Sequence, residues 1–392
     1  MRNRLDLVLI MTMTLCTEAF AQIAPTPIDE LSHASTGGSP VAYVYVSSSL
    51  KGGNVNEIEA FAAAANGELT AVSGSPFQEN VTSMAANGEY LFATNSSGTA
   101  IDSYWIESDG ALRYAATTDT AQSNDCNVLG PLFVDHTGKS LYDMEFDGSG
   151  CANNTYESFT VDKVTGGLEH PGNSSGNDWL YLPASFIGNN TYAYSADCLE
   201  DMYWGIYGFH RSANGLLTEI AINANPPTPP KGYFYCPSLA AADPADHVAI
   251  FMQPVNQQDF MPDRPGRLAT YTADAKGNLT TTSTNSNMPE TSVVSVTDMK
   301  MSPSGKLLAV GGTEGLEIFH FNGSDPITHH TGILKKEEID QFFWDNRNHL
   351  YAIILTADKL YVFTITPTGY SEAPGSPHTI SHPQNVIVQP EL

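Results

Sequence analysis

Mainly apolar runs recur along the chain, at 43–46, 90–93, 141–146, 192–195, 248–251, 307–310 and 350–354. Each precedes a segment in which apolar and polar residues alternate, then a tight-turn pair. The turn pairs are Asn66-Gly67, Asp109-Gly110, Gly166-Gly167, Asn214-Gly215, Lys276-Gly277, Asn322-Gly323 and Thr368-Gly369. Period-two alternation predicts strands, and Gly- or Asn-bearing dipeptides that tolerate positive φ predict hairpins between them. The most regular unit is 299–323, where a Pro-Ser-Gly turn at 303–305 leads into Leu307-Leu-Ala-Val310 and then the alternating 316–321. Two independent markers thus each occur seven times. Spacings between the turn glycines run from the low forties to about sixty residues, the size of a four-stranded propeller blade. The alanine run at 60–65 favours helix by propensity, but its place inside the first unit predicts strand.

The ends of the pattern complement each other. The first unit has strands at 41–48, 55–62 and 68–73 but no leading strand. The last unit is followed by an orphan strand at 385–389, after His382-Pro383. Insertion of that strand into the first blade would complete it and remove an open edge. The expected fold is all-β: one seven-bladed propeller over 41–392, its first blade closed by the C-terminal strand.

The rest of the chain adds an address and a charge. Arg2 and Arg4, the apolar 7–15 and Ala19-Phe20-Ala21 read as a signal peptide over 1–21, too short to remain as a membrane anchor. Leu15 before Cys16 argues against a lipoprotein. Residues 22–40, rich in Pro, Ser and Gly, read as a flexible lead-in. The expected location is secreted or periplasmic, without membrane insertion. The formal net charge of −26 over 392 residues repels phosphate backbones, so nucleic acid is not an expected partner; a monomer is.

The stretch Leu69-Thr-Ala-Val-Ser-Gly-Ser-Pro-Phe77 is echoed by Ser371-Glu-Ala-Pro-Gly-Ser-Pro-His378. Together with Ser302-Pro-Ser-Gly-Lys-Leu-Leu308 it resembles the seven-bladed propellers of the lactonase-like group (6-phosphogluconolactonase and YVTN-repeat proteins). That resemblance implies the propeller fold. It also implies His, Arg and Glu on the loops entering the central channel. Here the segments leading into the fourth and fifth blades read Asn-Asp-Trp-Leu-Tyr-Leu-Pro at 177–183 and Lys-Gly-Tyr-Phe-Tyr-Cys-Pro at 231–237. Met-Gln-Pro at 252–254 stands where the group shows Asn-Glu. Lys231, Glu290 and His382 remain as catalytic candidates by location.

Cys126, Cys151, Cys198 and Cys236 follow the leader. In an exported chain an even count suggests disulfides, with three connectivities open. Cys126 and Cys198 are placed beside loops of the same propeller face as Cys151 and Cys236, so Cys126–Cys151 and Cys198–Cys236 are the preferred pairs. Four free thiols are the alternative. Asp143-Met-Glu145-Phe-Asp147-Gly148 resembles half of a calcium loop, but its twelfth position is Asn154, and a strand running into a turn is the preferred reading. No cofactor is expected. Asp197, Glu200, Asp201, Tyr203 and Trp204 could form a binding rim in which aromatics stack on a sugar-like ligand. An acidic loop leading into an aromatic strand is the simpler reading. His329-His330 reads as a solvated pair. No nucleophile elbow, P-loop or zinc-protease motif occurs. The expected function is a binding or interaction module for a small-molecule, carbohydrate or protein ligand, using the top-face loops of blades three to five. The alternative is a lactone hydrolase.

Overall fold

Each apolar run forms the second strand of an antiparallel sheet, and seven such sheets make a propeller. The structure, a computed structural model, describes residues 39–49, 56–79, 81–96, 98–120, 130–145, 155–173, 182–198 and 204–390. From the axis outward, blade 1 contains Pro383–Pro390, Ala42–Ser49, Asn56–Ala63 and Leu69–Ala71. Blade 2 contains Val81–Ala86, Tyr90–Asn95, Ala100–Ile106 and Leu112–Asp119. Blade 3 contains Phe133–Val134, Ser140–Glu145, Thr155–Val161 and Leu168–Asn173. Blade 4 contains Ser185–Phe186, Tyr192–Cys198, Trp204–Arg211 and Leu217–Ile220. Blade 5 contains Tyr233–Ala242, His247–Asn256, Arg267–Ala273 and Leu279–Thr280. Blade 6 contains Val296–Met301, Leu307–Gly312, Gly315–Asn322 and Asp325–His329. Blade 7 contains Gln341–Trp344, His349–Ile354, Lys359–Thr366 and Gly369–Glu372, with His378–Thr379 also pairing the third strand. The alanine run is strand through Ala63, as expected.

The second strands are apolar on both faces because both faces are buried. In blade 6, Leu307 and Ala309 pack with blade 7, while Leu308 and Val310 pack with blade 5. The seven apolar clusters each occupy one boundary between neighbouring blades. The core is therefore a ring of interfaces, and no blade has a core of its own.

A repeated contact sets the spacing of those interfaces. The glycine of each outer hairpin rests against the start of the second strand in the preceding blade. A Cβ on Gly110 would lie 2.3 Å from the Tyr43 ring, one on Gly166 2.5 Å from Tyr90, and one on Gly277 2.8 Å from Tyr192. Gly67 meets His349 in the same way across the closure, and Gly369 is the exception, with nothing within 4 Å. Tyrosine hydroxyls secure the same seam. Tyr45 donates to Gly110 O at 2.9 Å, Tyr142 to Gly215 O at 2.8 Å and Tyr194 to Gly277 O at 3.0 Å.

The closing strand is present. Pro383–Pro390 pairs antiparallel with Ala42–Ser49, with Val44 opposite Val388 and Val46 opposite Val386. Val386 N also donates to Gln341 Oε1 of blade 7 at 2.6 Å, tying the last blade to the first. The two Gly-Ser-Pro segments share one structural role. After the fourth strand, each turns the chain back onto the third: Phe77 bridges Ile58, and His378 pairs with Leu360. Ser75 Oγ and Ser376 Oγ accept from Ala60 N and Val362 N, so the upper edge of each third strand is covered. No helix among the described residues is long and apolar enough to cross a membrane.

Deleting 385–392 should remove the buried Val386, Ile387 and Val388. At about 1.5–3 kcal/mol each, that is most of the roughly 5–15 kcal/mol that holds an ordinary domain. The expected result is loss of the cooperative thermal transition, and an unchanged melting curve would refute the strap. Gly110→Ala places a Cβ inside the Tyr43 ring at a φ of +85°. It should cost about 2–4 kcal/mol in urea denaturation, and a cost under about 0.5 kcal/mol would show that the seam yields freely.

Candidate functional site

Blade 5 departs from the repeat. Its first and second strands run ten residues each, and the register carries them past the rest of the sheet. Arg267 begins the third strand opposite Met252, so residues 253–256 have no third-strand partner and pair inward only, with 233–236. The extension lies at the end of the blade where second strands turn into third strands. The segment at 233–237, expected to be a loop leading into the blade, is thus part of its innermost strand. Alternating Tyr-Phe-Tyr is the sequence signal for that, and the glycine and proline around it masked it.

This raised pair is stapled to blade 4. Cys198, the last residue of that blade's second strand, forms a disulfide with Cys236, with Cα atoms 5.3 Å apart. A bridge spanning 38 residues contributes roughly 4 kcal/mol by restricting the unfolded chain. The second expected pair, Cys126 with Cys151, lies outside the described residues.

Polar and aromatic groups stiffen the tip. The Arg264 guanidinium sits 4.0 Å over the Tyr233 ring, a cation–π contact, and Tyr233 Oη donates to Asp263 Oδ2 at 3.1 Å. Gln253 Nε2 donates to Arg264 O at 2.8 Å, and Asn256 Nδ2 to Asp263 Oδ2 at 3.3 Å. Phe234 and Phe260 have ring centroids 6.2 Å apart. Phe260 and Met261 are each 61 % exposed at the crest. Two large apolar side chains are thus held outward on a braced turn.

The acidic rim expected at blade 4 is only partly described. Asp197 is buried, and its Oδ1 accepts from Cys198 N at 2.6 Å, so it supports the backbone at the disulfide. Trp204 begins the third strand opposite Cys198. Glu200, Asp201 and Tyr203 lie outside the described residues. In the calcium-like stretch, Asp143 and Glu145 belong to a strand, with buried Asp143 opposite buried Glu157. Asp147, Gly148 and Asn154 lie outside the described residues.

Lys231 and Glu290 adjoin blade 5 while His382 precedes the closing strand of blade 1, and no hydrogen bond or ion pair joins any two of the three among the described residues. His382 precedes the closing strand with a φ of +46°. Its backbone N donates to Asp358 Oδ1 at 2.9 Å, and its Nδ1 lies 3.2 Å from the same oxygen, close enough for charge attraction but off hydrogen-bonding geometry. Glu290 is paired with Arg267, whose other donors hold Asn285 O and Met288 O at 2.8 and 2.9 Å. Lys231 is exposed on the turn before blade 5. His329, read as half of a solvated pair, has an acidic partner: its Nδ1 lies 3.0 Å from buried Glu317 Oε1. Strand pairing brings the two together, which proximity in sequence could not show.

Sequence reasoning also missed a carboxylate pair in blade 1. Glu57 and Glu59 are two residues apart on one strand, on the face that carries Phe61 and Ala63 against blade 7. Glu57 is buried, and its Oε2 accepts from Gln78 Nε2 at 2.8 Å. Burial, with Glu57 adding repulsion, pushes the Glu59 carboxyl up to about 7. The Glu-Ile-Glu spacing inside a predicted strand was the available signal.

The fold is that of a seven-bladed β-propeller. No protein-family model matches the chain, and no curated protein does. Solved structures do. A "putative 6-phosphogluconolactonase" of Bacteroides fragilis is similar at 16 % identity and a TM-score of 0.63, over 90 % of this chain and 99 % of that one. Its counterpart from Bacteroides uniformis gives 15 % and 0.60, over 90 % and 100 %. The periplasmic gluconolactonase of Pseudomonas aeruginosa gives 13 % and 0.60, over 88 % and 98 %. Identities this low establish the fold alone.

Glu59 sets a pH dependence of stability. Its folded pKa of about 7 stands above the ordinary 4.5, so the folded chain keeps a proton that the unfolded chain releases. Stability from this group falls as pH rises through that window, and below 4.5 both states are protonated. Glu59→Gln should match wild type at pH 4 and exceed it at pH 8 by about 1 kcal/mol after allowing for solvent screening. Equal urea midpoints for the two proteins at pH 8 would contradict this.

Proposed function

We propose that the protein is an exported binding or interaction module whose ligand docks on the upper rim of blades three to five. The observation that carries this reading is the raised strand pair of blade 5, bridged to blade 4 and displaying Phe260 and Met261 on a braced turn. Aromatic and Met side chains held on a rigid support are the usual anchors of small-molecule, carbohydrate and protein recognition. Export is supported by the disulfide, which persists in oxidising compartments. One fold neighbour is itself periplasmic. A second reading, hydrolysis of sugar lactones or related cyclic esters, draws on His382 beside Asp358 and on the gluconolactonases among the fold neighbours. There the imidazole would serve as general base and the carboxylate would orient it.

One experiment separates the two. The mature protein, Phe260→Ser/Met261→Ser and His382→Ala are compared for retention on a polysaccharide panel and for turnover of a lactone panel. The binding reading expects retention lost only in the double variant, with an unchanged melting temperature. Turnover abolished by His382→Ala, with retention unaffected by the double variant, would overturn it.

A further inference from the structure

The opposite mouth of the channel holds a pocket. First strands turn into second strands at that end, away from the raised rim. A cavity of about 330 Å³ there is lined by His136 of blade 3, Pro244 of blade 5, Lys300 and Met301 of blade 6, and Phe343 and Trp344 of blade 7. Blades 3 and 7 are not neighbours, so a cavity touching both lies across the axis. Its volume is in the lower range for small-molecule sites.

The lining is mainly apolar, with Lys300, His136 and Ser302 as its polar side chains, and Ser302 Oγ is engaged, accepting from Leu307 N at 3.1 Å. Lys300 lies on the innermost strand, its side chain 27 % exposed and its ammonium 3.2 Å from Asp298 Oδ1. The same ammonium sits 4.9 Å over the Phe343 ring. Asp298 is otherwise engaged: its carboxylate accepts from Met299 N and Phe342 N at 2.9 and 3.3 Å. Lys300 lines the cavity, and of the three donors an ammonium carries the ion pair with Asp298 engages one. Trp344 is committed, its Nε1 donating to Lys300 O at 3.1 Å, which fixes the indole as a wall. His136 reaches the cavity from the other side. Its ring packs edge-on against Phe186, and its ring nitrogens have no hydrogen-bond partner among the described residues. Desolvation by the surrounding protein lowers its pKa against the opposing influence of Asp135, and a neutral imidazole offers one donor and one acceptor.

This inventory selects a ligand. A sugar would leave most of its hydroxyls unpaired against Pro244, Met301, Phe343 and Trp344, at a desolvation cost for each. A dianion would bring two negative charges to one cation that Asp298 already partly neutralises, inside a protein of net charge −26. One carboxylate against Lys300, with an apolar or aromatic body against the walls, matches what the pocket offers. We propose that this lower-mouth pocket binds a small monocarboxylate with an apolar or aromatic body, through Lys300 and His136. The site is separate from the raised rim of blade 5.

Benzoate is the probe and benzamide its neutral counterpart, titrated calorimetrically into the whole protein at pH 7. A charge-assisted hydrogen bond is worth about 1.5–3 kcal/mol, so benzoate should bind at least about tenfold more tightly than benzamide. Lys300→Met keeps the apolar stem and should abolish that preference. His136→Gln should weaken benzoate by a smaller factor, and both variants should melt as wild type does. Equal affinities for the two probes, no heat from either up to about 10 mM (millimolar being the weak limit of specific binding), or an undiminished preference in Lys300→Met would each overturn the proposal. If Lys300→Met fails to fold, loss of the benzoate preference in Lys300→Gln decides the matter in the same way.

Discussion

The close approach of each outer hairpin to the second strand of the preceding blade governs this molecule. A glycine there lets the backbone of one blade lie against a side chain of the blade before it, and a tyrosine hydroxyl from the same strand caps the hairpin carbonyl. Apolar clusters form only where two blades meet, so no sheet could bury its faces alone. Stability is a property of the ring, and loss of one seam exposes two apolar faces. The pattern fades at Gly369, where the hairpin has open space around it.

Function is sought where the repeat is broken. Blade 6 keeps short loops, and its carboxylates serve structure. Glu314 Oε2 accepts from Val294 N and Ser295 N, and Glu317 Oε2 from Ser292 N, so both hold the segment leading into their own blade. Blade 5 instead lengthens two strands and needs a disulfide, a cation–π contact and side-chain hydrogen bonds to support them. Structure added beyond the ring has no neighbouring blade to pack against, so covalent and polar links replace apolar burial.

What the sequence could tell follows from the same physics. Strand count, hairpins and closure were legible because each imposes a local signature: a doubly buried run, a positive-φ glycine, an orphan strand. The Cys198–Cys236 bridge was legible once the blades were counted. The site was not. The approach of His329 to Glu317 and the channel pocket spanning four blades depend on register and curvature, which leave little trace in local pattern. The strand at 233–237 was hidden by its punctuation, because Gly232 and Pro237 signal a loop while the tyrosines between them pair.

The strap has a consequence in time. Ser381 Oγ donates to Ser49 O across 332 residues, and the strand that follows supplies the innermost position of blade 1. A ribosome or export channel delivers that strand after every other strand of the ring. Until it arrives, blade 1 waits with an unpaired edge facing the axis, and blade 7 has no neighbour on one side. Blades 2 to 6 can accrete in order as they emerge, but closure requires contacts as remote as the one across 332 residues between Ser381 and Ser49. High contact order slows such a step, and an open strand edge is a template for pairing with another chain. The interval before closure is therefore when this protein is most exposed to misassembly.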